Sequence, residues 1–283
     1  MTAPIVVKFG GELLDEPSRL AVVVGAIARV VHATAEPHQP LVPLVIVHGG
    51  GKEIDAALKA AGIGRRQVDG VRITDEATLD VVVAVLAGAV NTRLVAGLTS
   101  AGVAAVGLTG ADGRSGLAEP APPHSTVDGR TVDLGRVGIP SDRADMRLVT
   151  TLVSGRFVPV MASIGIGADG RLLNVNADMF AGRLAARLGA RRLVIAGTTP
   201  GVLDEAGRTI AALDGHAMER LIGSGAATAG MIAKLQASED ALSHGVGDVV
   251  IVDGRDGAAL ERAALGATPA TATRIVTVEQ VKP

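Results

Sequence analysis

The chain has 283 residues and a formal net charge of −2, and 48% of its residues are hydrophobic. This length suffices for one large α/β domain or for two lobes with a substantial core. Because 27 basic residues nearly balance 29 acidic ones, no overall field attracts nucleic acid or an anionic membrane. The sequence contains no cysteine, which excludes a disulfide framework, a thiolate metal site and a cysteine nucleophile.

The N-terminus leads directly into a predicted strand and lacks the basic and long apolar regions of a signal peptide. No uninterrupted apolar run reaches about 18 residues, so we expect no membrane span. Three Phe and no Trp or Tyr weigh against base stacking on a nucleic acid. We therefore expect a cytoplasmic protein that acts on small molecules.

Short runs rich in Val and Ile alternate with longer helical patterns, which predicts an α/β fold with a mainly parallel central sheet sandwiched by helices. The first half is predicted to hold strands at 5–7, 44–47, 103–108 and 157–160, helices at 18–32, 52–61, 76–100 and 145–155, a loop at 34–43, and hairpins at 68–74 and 126–137. The second half is predicted to hold helices at 178–188, 215–222 and 231–244, and strands at 192–196, 249–252 and 274–278. A change of pattern at 165–170 divides the chain into an N-terminal lobe, 1–168, and a C-terminal lobe, 169–283.

The predicted helix that ends near residue 100 is apolar around much of its surface, at Val81 to Val83, Val85, Leu86 and Val90. Such a helix is either deeply buried or part of a subunit interface. The pattern favours a homodimer built around this helix.

Glycines follow the first two predicted strands, as Gly10-Gly11 and as Gly49-Gly50-Gly51. Glycine turns at the carboxyl ends of parallel strands let backbone N–H groups approach an anion, and the next helix adds its dipole. Taken singly, each turn is weak evidence, since about half of such turns are only tight connections.

Two familiar nucleotide motifs do not fit these turns. A Walker A loop needs a glycine five residues before Gly51-Lys52 and a Ser or Thr after that pair, whereas the chain has Ile46 and Glu53 there. A G-x-G-x-x-G dinucleotide motif does not open a helix after the first strand. We therefore exclude a P-loop ATPase and find little support for a dinucleotide site.

Four charged residues lie in unusual Gly- and Asn-rich settings: Lys8, Arg72, Asp178 and Lys234. Each also has an ordinary structural explanation, as a snorkelling strand-end lysine, a hairpin charge, a helix cap or a solvated helix residue. Two ammonium groups with an aspartate between them suit transfer of a phosphoryl group, where the protein positions the reactants and neutralises charge.

Together these motifs resemble the amino acid kinase family, and within it most closely the N-acetylglutamate kinases. The resemblance runs through essentially the whole chain. Its matching segments are 7–11, 47–51, 69–74, 86–88, 174–178, 200–203 and 230–234. Segments 70–74 and 174–178 are far more specific to the acetylglutamate enzymes than the first and last segments are.

The resemblance implies an N-terminal lobe that binds the acyl amino acid and forms the dimer contact, and a C-terminal lobe that binds ATP. The implied reaction transfers a phosphoryl group from ATP to the γ-carboxylate of N-acetyl-L-glutamate, in arginine biosynthesis. Lys8 and Lys234 would neutralise the phosphoryl group while Asp178 holds both lysines. Arg72 would bind the substrate α-carboxylate, and Asn174 would hydrogen-bond the acyl amino acid.

The same resemblance assigns phosphate binding to backbone N–H groups of Gly10, Gly11 and Gly50, with Gly50 and Gly51 also contacting the substrate. Mg²⁺ would be held mainly through nucleotide phosphates and water, without a dedicated protein metal site. The nucleotide would lie against two further segments, namely Thr198, Thr199, Pro200, Gly201, Val202 and Leu203, and Ala226, Ala227 and Thr228.

The sequence departs from the family pattern at two positions. Thr198 replaces a usual Asp before the Pro-Gly-Val turn, which leaves nucleotide affinity open, and Thr92 replaces a common lysine. Arginine-inhibited members of the family that this chain resembles usually carry an extra N-terminal helix that links dimers into hexamers. With only a short segment before Lys8, the resemblance implies a homodimer without arginine feedback. Two alternatives remain open: a related kinase for an aminoadipate-type substrate in lysine biosynthesis, and a catalytically silent amino-acid sensor.

Overall fold

The computed structural model describes residues 2–33, 42–126, 129–225 and 228–276. Its strands are β1 (Ile5–Phe9), β2 (Leu44–His48), β3 (Gln67–Val68), β4 (Val71–Arg72), β5 (Ala105–Thr109), β6 (Ala118–Pro120), β7 (His124–Ser125), β8 (Thr131–Val132), β9 (Val137–Pro140), β10 (Val158–Ala162), β11 (Ile164–Ile166), β12 (Leu172–Val175), β13 (Arg192–Gly197), β14 (Ala212–Leu213), β15 (Val249–Asp253) and β16 (Thr273–Ile275). Its α-helices are α1 (Pro17–Ala33), α2 (Gly51–Ala60), α3 (Glu76–Val83), α4 (Asn91–Ser100), α5 (Arg147–Ser154), α6 (Ala177–Arg187), α7 (Gly215–Gly223), α8 (Ala229–Ser243) and α9 (Gly257–Ala264).

The central sheet has eight strands in the order β14-β16-β15-β13-β1-β2-β10-β5. All neighbouring pairs are parallel except β15 and β16, so the predicted mainly parallel α/β fold is confirmed. β1 lies in the middle, and β1 and β2 are buried along their whole length because both faces of the sheet are covered. Strands from before and after residue 168 occupy opposite halves of the sheet, while the proposed lobe division itself stays a prediction.

Side chains alternate between the two faces of β1. Ile5, Val7 and Phe9 belong to one buried cluster, which also contains residues of α1, α4 and α9. Val6 belongs to a second cluster on the other face, together with residues of α6. By the same alternation Lys8 follows Val6 onto the α6 face, so the strand period alone directs this lysine toward that helix.

A second, four-stranded sheet has the order β11-β12-β9-β6. It was not predicted, because its strands are short and β6, β9 and β11 carry glycine or proline. β11 and β12 form an antiparallel pair in which Ile164 lies opposite Asn174, so this sheet places Asn174 near the end of the central sheet. The region 165–170, where the sequence suggested a lobe boundary, is the turn between these two strands.

The predicted strands and helices otherwise appear with ends shifted by a few residues. Strands β6, β9, β11, β12 and β14 and helix α9 were missed. The hairpin expected at 126–137 is formed by β7 and β8, and residues 127–128 lie outside the described part of the chain. Most of the predicted loop at 34–43, and the end of the predicted strand at 274–278, also lie outside it.

Helices α3 and α4 are joined through a π-helical stretch, Ala84–Val90, into one long helix. In the described residues, Glu76–Ser100 alone has the length and apolar composition of a membrane span, with a hydropathy of 1.9 and 33% of its most apolar window buried. One such helix is weak evidence for membrane insertion, because core and interface helices share this composition. The expectation that no segment spans a membrane stays a prediction.

Candidate functional site

A buried ion pair lies where β1 meets α6. Lys8 Nζ is 2.8 Å from Asp178 Oδ1, and the two side chains are 5% and 8% exposed. Lys8 stands near the end of β1, on the face that α6 covers. A lysine so deeply buried needs an anionic partner, because an unpaired charge away from water costs several kcal/mol.

Asp178 is not the cap of α6. The cap is Asn176, whose side-chain oxygen accepts hydrogen bonds from the backbone N–H groups of Asp178 and Met179 at 2.9 and 3.1 Å. The Asp178 carboxylate, in the first turn of α6, is therefore free to face Lys8. This finding excludes the ordinary structural explanation for Asp178.

Lys234 approaches the same carboxylate from α8. Its Nζ lies 4.0 Å from Asp178 Oδ2, and its side chain is 17% exposed. Burial lowers the pKa of Lys234, the positive charge of Lys8 lowers it further, and the charges of Asp178 and Glu12 oppose that shift. Three residues that lie far apart in the sequence thus meet at one point, with two ammonium groups around one carboxylate.

The two glycine turns meet beside this cluster. A Cβ atom on Gly11 would lie only 2.6 Å from Gly50 Cα, and one on Gly50 would lie 2.8 Å from Leu86 Cδ2. Within the described residues, the N–H groups of Gly11, Gly50 and Gly51 have no hydrogen-bond partner. Unpartnered amides beside the N-terminus of α2 are the donors that suit a phosphate group.

Gly10 differs from its neighbour. Its N–H donates to Ala196 O at 3.0 Å, which continues the hydrogen bonding between β1 and β13. The expected donation from Gly10 to a phosphate therefore conflicts with the sheet, which already uses this amide. A Cβ on Gly10 would lie 2.7 Å from both carboxylate oxygens of Glu12, the end of a flexible side chain that covers this turn.

Sequence reasoning missed the buried pair of His48 and Asn91. His48 is fully buried at the end of β2, and its Nε2 lies 3.0 Å from Asn91 Nδ2. Since the amide nitrogen is a donor, Nε2 accepts and the ring proton sits on Nδ1, 3.3 Å from Gly49 O. Burial lowers the pKa of His48 to about 4, so the ring is neutral and tethers the second glycine turn. A histidine that ends an apolar strand before three glycines was the available signal.

Arg72 lies at the end of the short hairpin β3–β4, with its side chain 10% exposed. Its Nη2 donates to Asp55 Oδ1 at 2.5 Å. Its Nη1 is buried and has no hydrogen-bond partner in the described part of the protein. A buried guanidinium donor without a partner is costly, so this nitrogen fits an anionic ligand such as a carboxylate. Asp55 was not predicted as a site residue.

Thr74 connects Arg72 to Asn174. The fully buried Thr74 hydroxyl donates to Arg72 O at 3.2 Å and accepts from Asn174 Nδ2 at 3.1 Å. Since the Asn174 nitrogen is used here, its Oδ1 remains as an acceptor without a partner among the described residues. Two predicted substrate residues, 102 positions apart by number, are thus joined through a side chain that the sequence did not single out.

The predicted nucleotide segment begins where β13 ends. Gly201 adopts a φ of +67° against Thr273, and a Cβ there would lie 2.5 Å from Thr273 Oγ1. That hydroxyl accepts from Val202 N at 2.8 Å and donates to Ile210 O at 2.6 Å, which fixes the turn against β16. Thr199 donates to Gly201 O at 3.2 Å, and Thr198 is half-buried.

The second predicted nucleotide segment precedes α8. Thr228 caps this helix by accepting a hydrogen bond from Met231 N, which orients the helix that carries Lys234. Ala226 and Ala227 lie outside the described residues. No group of three His, Asp or Glu side chains within the described ranges is placed to hold a metal ion.

A buried Lys–Asp–Lys cluster beside glycine turns, at the carboxyl edge of a parallel sheet, defines the class of phosphoryl-transfer proteins. Residues 3–253 match the model of the amino acid kinase family, and the chain belongs to that family.

Two relatives named acetylglutamate kinase are similar over most of their length. The one from Granulibacter bethesdensis is 41% identical over 260 residues, which are 89% of this chain and 84% of the relative. The one from Acidiphilium cryptum is 40% identical over 259 residues, 89% of this chain and 83% of the relative. Among solved structures, smu.665 from Streptococcus mutans UA159 is 28% identical with a TM-score of 0.76, covering 89% of this chain and 96% of that one.

Proposed function

We propose that this protein transfers the γ-phosphoryl group of ATP to the γ-carboxylate of N-acetyl-L-glutamate, a step of arginine biosynthesis. The observation that carries the proposal is the Lys8–Asp178–Lys234 cluster, in a chain 41% identical to an acetylglutamate kinase over 89% of its length. Homologous relatives of the same name at nearly equal identity support the same substrate.

The chemistry requires no general base. The attacking γ-carboxylate is already ionised at neutral pH, because a glutamate carboxyl group has a pKa of about 4.3. The barrier comes from bringing this anion in line with an anionic phosphoryl group. Lys8 and Lys234 reduce that repulsion, and Asp178 holds both ammonium groups so that they need not reorganise during transfer.

The unpartnered backbone amides of the two glycine turns would bind the phosphates. The N–H groups of Gly11 and Gly50, which have no partner among the described residues, would donate to them, and Gly51 begins the helix whose dipole favours an anion. The nucleotide would extend from there over Thr198, Thr199, Pro200, Gly201, Val202 and Leu203 toward Thr228, with Ala226 and Ala227 beside it. Mg²⁺ would accompany the nucleotide, bound mainly through its phosphates and water.

The acyl amino acid would lie between the β3–β4 hairpin and β12. The unpartnered Nη1 of Arg72 is a donor for the α-carboxylate. The free Oδ1 of Asn174 is an acceptor for an amide N–H, which an acylated amino group supplies. This pair of complementary groups agrees with an N-acyl amino acid as substrate, with residues 1–168 forming most of its lobe and 169–283 most of the ATP lobe.

We further propose a cytoplasmic homodimer. The long helix Glu76–Ser100 buries only 33% of its most apolar window inside the chain, and the adjoining strand β5 is an edge of the central sheet. A cleft between them is lined by Ala87, Asn91, Thr92, Val95 and Leu108. Exposed apolar helix surface next to an unpaired sheet edge suits a two-fold contact with a second copy. Sedimentation at several concentrations tests it.

The test of function is ATP-dependent acyl phosphate formation, trapped as the hydroxamate. N-acetyl-L-glutamate is compared with N-acetylaspartate, free glutamate and N-acetylaminoadipate. The expected result is a clear preference for N-acetylglutamate, and Lys234→Ala should lower kcat by about 10²-fold or more while exposed Lys59→Ala leaves it unchanged. Preference for N-acetylaminoadipate would instead assign the enzyme to lysine biosynthesis. Absence of turnover with folded protein would indicate a catalytically silent sensor.

A further inference from the structure

Glu12 directs a carboxylate into the phosphoryl-transfer site. It follows the first glycine turn and is half-buried, with its side chain folded back over Gly10 so closely that a Cβ on Gly10 would lie 2.7 Å from both carboxylate oxygens. Its backbone carbonyl accepts a hydrogen bond from Arg19, but within the described ranges its carboxylate has neither a hydrogen bond nor an ion pair. A half-buried carboxylate without such a partner is unusual.

This carboxylate faces Lys234 across Gly197. A Cβ atom on Gly197 would lie 3.5 Å from Lys234 Cε and 4.0 Å from Glu12 Oε1, so both side chains converge over the end of β13. The cluster then contains two lysines, Lys8 and Lys234, and two carboxylates, Asp178 and Glu12. Asp178 is held by Lys8 at 2.8 Å, whereas Glu12 remains available.

A carboxylate in this position repels the phosphates that the neighbouring amides would bind. A divalent cation bound between the carboxylate and the phosphates would turn this repulsion into attraction. Mg²⁺ commonly binds through one or two protein carboxylates together with substrate phosphates, and it needs no cage of three protein ligands. The Glu12 carboxylate has the donor chemistry for that role.

We propose that Glu12 is a protein ligand of the divalent cation carried by the nucleotide, and that it makes the site select metal-bound nucleotide over free nucleotide. The inference rests on the proposed function, because it requires nucleotide phosphates at the glycine turns. It adds a protein ligand to a cation otherwise held by phosphates and water.

Calorimetric titration with ADP, in EDTA and in excess Mg²⁺, tests this role without turnover. The wild-type protein should bind ADP at least about tenfold more tightly with Mg²⁺ than without it. Glu12→Gln should lose most of this preference, because free ADP then binds more tightly and Mg²⁺–ADP more weakly. The matched control is Glu16→Gln, which removes an exposed carboxylate nearby and should leave both affinities unchanged.

Electron paramagnetic resonance of Mn²⁺ gives a second readout. At saturating ADP, Glu12→Gln should raise the Kd of Mn²⁺ for the complex about tenfold, as expected for the loss of one contributing ligand group. Thermal unfolding of each variant checks that the fold is kept.

Three outcomes would overturn the inference. If Glu12→Gln raises the affinity for free ADP and for Mg²⁺–ADP equally, the Glu12 carboxylate only balances the charge of Lys234. If the wild-type protein binds ADP equally well with and without Mg²⁺, the cation has no ligand here, although the proposed function survives. If the wild-type protein binds neither form, the proposed nucleotide site fails together with this inference.

Discussion

Gly11 and Gly50 stand back to back, so close that a Cβ atom on Gly11 would lie 2.6 Å from Gly50 Cα. The contact is between two backbones, one after β1 and the other after β2, and neither is able to move aside as a flexible side chain would. The N–H groups of Gly11 and Gly50, which we propose to bind phosphate, therefore hold their spacing only while both positions lack side chains.

Gly11→Ala should separate the two turns and lower kcat/KM by about 10²-fold, since small displacements of positioning groups have effects of that size. The steady-state assay with both substrates measures it. Gly223→Ala is the matched control, because a Cβ at this helical position meets nothing within 4 Å. Because Gly223 is the last residue of α7, the variant should keep full activity and change stability by less than about 0.5 kcal/mol. Equal activity of the two variants would contradict the role given to the contact.

Comparing Asp178→Asn with a double variant should separate the effect of Asp178 on stability from its effect on activity. Alone, it leaves the buried Lys8 ammonium without its anion and should lower the free energy of unfolding by about 3–5 kcal/mol. The double variant Lys8→Met/Asp178→Asn removes both charges and should recover most of that stability. Its kcat should stay at the level of the single variant or below.

Urea unfolding and the hydroxamate assay on the same preparations check both parts. A double variant that regains activity along with stability would show that the pair acts only in folding.

His48 predicts a specific pH dependence of stability. Its pKa is lowered from 6.5 to about 4 in the folded protein by burial, so between these values the unfolded chain binds a proton that the folded chain does not. The stabilisation is complete above about pH 6.5 and is lost as the pH falls toward 4, by on the order of 3 kcal/mol.

The measurement is urea unfolding at several pH values for the wild-type protein, His48→Gln and His216→Gln. The difference in unfolding free energy between the wild-type protein and His48→Gln should shrink as the pH falls from 6.5 to 4. His216 is 70% exposed, so its variant should follow the wild-type curve. Parallel curves for the wild-type protein and His48→Gln would refute the neutral buried ring.

The sequence predicted most strands of the central sheet, the glycine turns and the Lys8–Asp178–Lys234 candidates, because each has a local pattern. Alternation along β1 places Lys8 on the α6 face, and an Asn before Asp178 is a recognisable cap signal. The contacts of Asp55 with Arg72, and of Thr74 with Asn174, follow from tertiary packing, so no periodic pattern in the sequence indicates them. α9 was missed although Asp256 caps it and its segment is rich in alanine, a strong helix former, because it is only 8 residues long.

Replacing Asp55 should affect the KM for N-acetylglutamate and not the KM for ATP. It lies on α2, accepts a hydrogen bond from Arg72 Nη2, and through Oδ2 forms a 3.1 Å ion pair with Arg65. Asp55→Asn should raise the KM for N-acetylglutamate by about tenfold through a misplaced Arg72, with kcat and the KM for ATP nearly unchanged. Arg65→Gln is the comparison, and it should change KM less than about twofold because its side chain is 57% exposed. An equal effect on both KM values would indicate a general loss of structure.

The hydrogen bonding and the packing of Thr74 can be tested separately, because valine keeps its shape and serine keeps its hydroxyl. Thr74→Val keeps the volume but leaves Asn174 Nδ2 and Arg72 O without the hydroxyl that joins them. The KM for N-acetylglutamate should rise about tenfold, since both substrate contacts lose their common support. Thr74→Ser keeps the hydroxyl, and although it opens a small cavity it should stay within about threefold of the wild-type KM.

The decisive comparison is between KM and stability across the two Thr74 variants. If packing were the role of this residue, the serine variant would be the less stable one and would show the larger rise in KM. If hydrogen bonding is the role, the valine variant shows the larger rise in KM even where its melting temperature is the higher of the two. Since Thr74 contacts neither glycine turn in the described hydrogen-bond network, the KM for ATP should remain unchanged in both variants.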